Sequence, residues 1–137
     1  MGALELEREV LGRPLRVSVL PCRADLSVTI RGGDAPHVGS VTVARNGKIV
    51  SKWVGQGHRD DVVGDRFAEA LSKKAGGTVC ATCGIHYEAA TREQLAEIIA
   101  ACEELLQIVL KREDFYGVNP NFEQKHGAGG LPGQVDI

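Results

Sequence analysis

Aromatic residues are scarce in this 137-residue chain, with one Trp, two Tyr and three Phe, and positive charge is not in excess: 16 Lys and Arg stand against 18 Asp and Glu. These shortages remove both parts of a nucleic-acid surface, the basic field that neutralises phosphates and the platform on which bases stack. No apolar run approaches the roughly 20 residues that a membrane-spanning helix needs. The chain starts with Glu5, Glu7 and Glu9, opposite in sign to the basic start of a secretory leader, so a cytoplasmic protein with neither nucleic acid nor membrane as partner is expected. Also absent are G-x-x-x-x-G-K-[ST], G-x-S-x-G and H-E-x-x-H.

Cysteine is present but sparse: Cys22, Cys80, Cys83 and Cys102. In a reducing compartment Cys22, at a strand end, and Cys102, on a helical apolar stripe, read as small buried hydrophobes. Cys80-Ala81-Thr82-Cys83 has redox or zinc spacing, yet no helix start accompanies it and no further ligands complete a set of about four. On a strand, positions three apart face opposite sides, so the two thiols should diverge. Neither a metal site nor a catalytic set is expected.

What the chain does have is pattern. Leu4, Leu6 and Val10 alternate with glutamates; Leu15, Val17 and Val19 alternate to an end near Pro21; Leu26, Val28 and Ile30 make a third strand. Val41 and Val43 lead through Asn46-Gly47, the strongest short hairpin signal, into Ile49 to Val54. Asp60 or Asp61 can cap a helix carrying Val63, Phe67 and Leu71, which Gly76-Gly77 stops. Residues 78–87 alternate again. Thr91-Arg92-Glu93-Gln94 is a capping box before one stripe, Leu95, Ile98, Ile99, Cys102, Leu105, Leu106 and Val109. The expected fold is α+β: an antiparallel β-meander of about six strands with two helices on one face. Residues 1–116 form a single domain, and 117–137, rich in Gly, Asn and Pro, an arm that is mobile or docked on a partner. Leu20, Val50 and Val54 are left on the other face, which predicts a homodimer packed sheet to sheet.

Between the third and fourth strands lies Gly32-Gly33-Asp34-Ala35-Pro36-His37, with more special chemistry than a turn needs: glycines free in φ, a proline fixed in φ, and an imidazole. It reads either as a well-made loop or as a site. In the second case His37 stands at the mouth of a pocket floored by Gly32-Gly33 and walled by the first helix, with loop amides donating to phosphate oxygens. His86, at a strand end, and Arg66, a guanidinium suited to an oxygen pair, are candidates to join it.

Three separated blocks, Gly32 to Val41, Asp65-Arg66-Phe67-Ala68-Glu69 with Leu71-Ser72, and Gly84-Ile85-His86, occur in the order of one family's signature. Over roughly residues 4 to 112 the chain resembles the prenylated-flavin chaperone family, the LpdD-like proteins that accompany UbiD-type aromatic acid decarboxylases. The motif more commonly has Ile and Ala where Val38 and Ser40 stand here. The resemblance implies a fold similar to the proteasome assembly chaperones. It also implies a non-catalytic carrier of prenylated FMN, or FMN, for a UbiD-type decarboxylase, with Gly33, Asp34, His37, Arg66 and His86 as cofactor-binding residues. Two other readings stay open. One is an assembly chaperone or adaptor without a small molecule; the other is an enzyme using His37 and His86 as acid and base, for which no nucleophile or metal set is present.

Overall fold

A computed structural model describes residues 2–57 and 59–112. The arm expected at 117–137 lies outside the described residues. Strands β1 (Leu4–Val10), β2 (Arg13–Cys22), β3 (Asp25–Gly33), β4 (Ser40–Arg45) and β5 (Lys48–Val54) precede helix α1 (Asp61–Ala75). Strand β6 (Thr78–His86) and helix α2 (Arg92–Leu110) follow.

Local chemistry accounts for most boundaries. Asn46 and Gly47 turn β4 into β5 with φ of 51° and 82°, the positive pair that Asn-Gly tolerates. Gly76 ends α1 in the left-handed conformation, φ 73°, with its amide on Ser72 O and Lys73 and Lys74 in the last turn. Thr91 and Gln94 close the capping box of α2 in both directions, at 3.1 and 2.9 Å.

The six strands do not form a meander throughout. Their order is β1-β2-β3-β6-β4-β5, so β6 lies between β3 and β4, parallel to β3 and antiparallel to β4. The sheet is therefore mixed. Alternation with period two decides which face a side chain takes and not which strand lies alongside. Val79, Ala81 and Cys83 of β6 are fully buried, as suits a central strand.

Both helices cover one face, α1 over β4, β6 and β5 and α2 against β1 and α1. Beneath them lie Leu15, Val17 and Val19 of β2, Val28 and Ile30 of β3, and from the helices Phe67, Leu71, Leu106 and Val109. The α2 stripe is wider than its buried part: Leu95 and Ile99 are each about half exposed. The open face divides in two. Over β1–β3 it is charged and internally paired, Arg16 to Glu7 at 2.5 Å and Arg31 to Ser18 at 2.8 Å. Over β4 and β5 it carries Val41 opposite Trp53, the latter 54% exposed. Val54, expected on this open face, instead pairs with buried Ser40 and shares the helix-covered side. No helix among the described residues is long and apolar enough to cross a membrane.

Cys80 and Cys83 diverge as strand pleating requires, Cys83 under the helices and Cys80 toward the open face, half-buried. Cys102 is buried, but Cys22 is exposed because β2 carries past Pro21 to the sheet's end.

Candidate functional site

The loop from Asp34 to Gly39 lies along the last residues of β6. The amides of Asp34 and Gly39 donate to His86 O and Cys83 O at 2.7 and 2.8 Å, and the His37 amide to Gly84 O at 3.4 Å. These amides are therefore spent on the protein itself. That corrects the expectation of a phosphate nest at the loop, because a donor already aimed at a strand carbonyl is not offered to a ligand.

Such close apposition needs glycines. Gly33 has φ of 85°, and a Cβ there would lie 2.1 Å from His86 O. At Gly84 a Cβ would meet His37 O at 1.5 Å, and at Gly39 it would meet Asp60 Oδ2 at 2.0 Å. A glycine inside a strand often marks such an approach.

Asp34 fastens both ends of the loop's frame. Its Oδ1 accepts from Arg13 Nε at 2.9 Å and its Oδ2 from the Glu88 amide at 2.9 Å. The Glu88 amide first, and then Arg13, hold its carboxyl below the usual aspartate range.

His37 has Nδ1 3.0 Å from Ala35 O and Nε2 3.1 Å from Asp60 Oδ2. Asp60, only 8% exposed, also accepts the Ile85 amide through Oδ1 at 2.9 Å. Sequence reasoning treats Asp60 as a helix cap. It does occupy the N-cap position of α1, but in helical geometry with no side-chain capping bond, its carboxylate reaching β6 and the loop instead. His86 extends from the end of β6, its Nε2 2.9 Å from Glu88 Oε2, with side chains 50% and 79% exposed.

Ala35, Pro36, His37, Val38 and His86 enclose an open recess of about 380 Å³. Two expected features differ. The buried Gly32-Gly33 pair does not floor the recess, and α1 does not wall it. Of the candidate residues, His37 and His86 line it together, while Gly33 and Asp34 shape it from behind. Arg66 stands elsewhere, with Nε and Nη2 on Glu103 of α2 at 2.9 and 3.0 Å. It borders a separate apolar groove of about 350 Å³ between the helices, lined also by Val62, Phe67, Ile99 and Cys102.

The chemistry available at the recess is that of two imidazoles beside apolar Pro36 and Val38. The exposed His86–Glu88 pair is of a kind worth only about 0–1 kcal/mol, so His86 can exchange its partner for an anionic or carbonyl oxygen at little cost. His37 is committed to the fold. Burial pushes the Cys83 thiol up and the Cys102 thiol to about 12, so neither of these two is a ready thiolate. Sequence reasoning missed Asp60, Arg13, Glu88, Gly39 and Gly84 as site-building residues. Only Gly84, a glycine inside an alternating strand, carried a local signal.

A family model described as a prenylated flavin chaperone LpdD-like domain matches residues 10–114. Protein LpdD of Lactiplantibacillus plantarum is 27% identical over 92 residues, covering 63% of this chain and 67% of that protein. Among solved structures, a chaperone complex for yeast 20S proteasome assembly aligns with a TM-score of 0.47 at 13% identity, over 80% of this chain and 99% of the other.

Proposed function

The chain belongs to the prenylated flavin chaperone LpdD-like family, and from that premise we propose that it is a non-catalytic carrier of prenylated FMN, or a related flavin phosphate, for a UbiD-type aromatic acid decarboxylase. The recess carries this reading. It joins two imidazoles to an apolar edge formed by Pro36 and Val38, the latter 59% exposed, and the loop behind it is braced by buried contacts. A flavin ring bound there would lay its face on the apolar edge and offer a carbonyl or phosphate oxygen to His86. The recess is open, so the ligand stays partly exposed, as release to another protein requires.

The open sheet face beside it, with Trp53 and Val41, is the surface through which we propose that a homodimer forms; light scattering showing a monomer at micromolar concentration would remove that part. The same patch favours the second reading, an adaptor that binds protein alone.

The test is to purify the protein after co-expression with a flavin prenyltransferase, record its absorbance spectrum, and titrate the protein with FMN by calorimetry. Flavin absorbance should co-purify, and His86→Ala should weaken FMN binding about tenfold, the scale of one lost hydrogen bond to a charged group. A colourless protein with no heat of FMN binding sinks the carrier reading and leaves the adaptor.

A further inference from the structure

We propose that the recess is half of a site, and that a second copy of this chain, seated on the open face at Trp53 and Val41, supplies the wall it lacks. This rests on the carrier reading for what the site holds, but the covering of the recess can be read without any ligand.

The recess and the apolar patch lie on one face of the sheet. Gly84 pairs with Arg31, whose guanidinium donates to Ser18 on the open face. A Cβ at Gly84 would therefore point to that face, and there it would meet the His37 carbonyl oxygen at 1.5 Å. The loop from Asp34 to Gly39 thus crosses the open side of β6 near its end. His86, two residues beyond Gly84, shares that side. Thr82, two residues before it, pairs with Val41, which pairs with Trp53.

What the recess lacks is a second side. Its lining comes from residues 35–38 and from His86, a single loop and one strand end. Sites for small ligands enclose about 70–90% of the ligand's surface, whereas a planar ring laid against one loop keeps a whole face in water. A stable interface takes about 800 Å² from each protein, a disc roughly 16 Å in radius. His86 lies four residues along the strand from Thr82, about 13 Å at roughly 3.3 Å per residue. An interface centred on Val41 and Thr82 therefore reaches the recess and takes in exposed Pro36 and Val38 beside it.

Charge selects the occupant. On the β1–β3 half of this face Glu7 is bound to Arg16 and Glu5 to Arg31, so these charges are matched within the chain and give an oppositely charged protein little to read. An apolar patch beside a self-neutralised one is complementary to itself, as a two-fold contact requires.

The test uses the full chain, first without ligand and then with FMN. Sedimentation sets the concentrations at which the wild type is monomer and dimer, and nitrogen–proton correlation spectra are recorded at both. On dimerisation the amide signals of Val38 and His86 should shift together with the Trp53 indole signal. Trp53→Glu changes an exposed side chain, so the variant should fold, stay monomeric, and give the monomer's signals at Val38 and His86. Trp53 does not line the recess, yet W53E should weaken FMN binding about tenfold, and FMN should draw the wild type toward dimer. A dimer that leaves the Val38 and His86 signals unmoved, a wild type that stays monomeric, or a monomeric W53E that binds FMN as tightly as the wild type overturns the proposal. Should W53E not fold, the wild-type spectra decide alone. Should the wild type bind no FMN, the carrier reading falls while the spectra still show whether a second copy covers the recess.

Discussion

A methyl group added at Gly84 would lie 1.5 Å from the carbonyl oxygen of His37 and 2.2 Å from its carbonyl carbon, backbone atoms that cannot swing aside. Gly84→Ala should therefore lift the loop off β6 and cost about 3 kcal/mol or more. Urea denaturation measures this, with Gly12→Ala as comparison. Gly12 has positive φ, at 75°, which Gly84 does not, but nothing stands within 4 Å of its added Cβ, so the cost there is about 1 kcal/mol. Equal midpoints for the two variants would show that the loop leaves β6 freely. At this scale the sequence is half legible. Gly84 interrupts an alternating strand and so announces a close approach, but the backbone that approaches it lies 47 residues earlier, at His37. Asp60 has the right chemistry for a cap, and nothing local says that its carboxylate turns to Ile85 and His37 instead.

Among the elements, α2 is the one whose start and buried stripe follow most directly from residue types. Thr91 accepts from the Gln94 amide at 3.1 Å and the Gln94 side chain accepts from the Thr91 amide at 2.9 Å. Thr91→Ala should lower stability by about 1 kcal/mol without moving the recess; a thermal melt checks the first part and an unchanged FMN affinity the second. A melting temperature equal to the wild type's would mean that packing of Ile98, Leu105 and Val109 alone holds the first turn. The stripe's width is decided by neighbours. Ile98 is 5% exposed and Ile99 49%, because the sheet and α1 reach only one side of the helix. Strand β5 shows a different kind of protection. Its pairing with β4 shifts register between Val43 and Ala44, and Lys48 and Lys52 lie along it. Bulges and edge lysines discourage further strand pairing along this edge.

Across the whole molecule, carboxylates link stability to acid. The Glu88 amide holds Asp34 low, Lys52 holds Asp61 low, and Arg66, then Gln107, hold Glu103 low. Each stays charged in the folded chain at a pH where the unfolded chain has begun to take up its proton. Their contribution is therefore present above the unfolded carboxylate range, near 3.8 for Asp and 4.5 for Glu, and is lost as pH falls through the lowered folded values. The melting temperature should fall below about pH 4. The charge-removing variant Glu103→Gln should flatten part of that fall, since Glu103 ties α2 to Arg66 of α1. An unchanged acid limb in that variant would show that the bridge between the helices contributes nothing.

By itself the sequence determined most of the faces and ends of the elements, with Val54 and the end of β2 as exceptions. Period-two alternation assigned Val17, Val28 and Ala81 to one side of the sheet, Asn46-Gly47 placed a hairpin, and Thr91 to Gln94 started a helix, all from interactions among residues a few positions apart. Only the tertiary structure decided what lies alongside what. A strand's pattern is the same whether its neighbour is parallel or antiparallel, so the insertion of β6 between β3 and β4 was invisible until the chain closed on itself. That insertion brings His86 beside Gly33, and with it the recess. It separates Arg66, committed to Glu103 over the helices, from the imidazoles with which the sequence had grouped it. Contacts between residues far apart in the chain depend on the packing of all the elements together, and no local spacing encodes them.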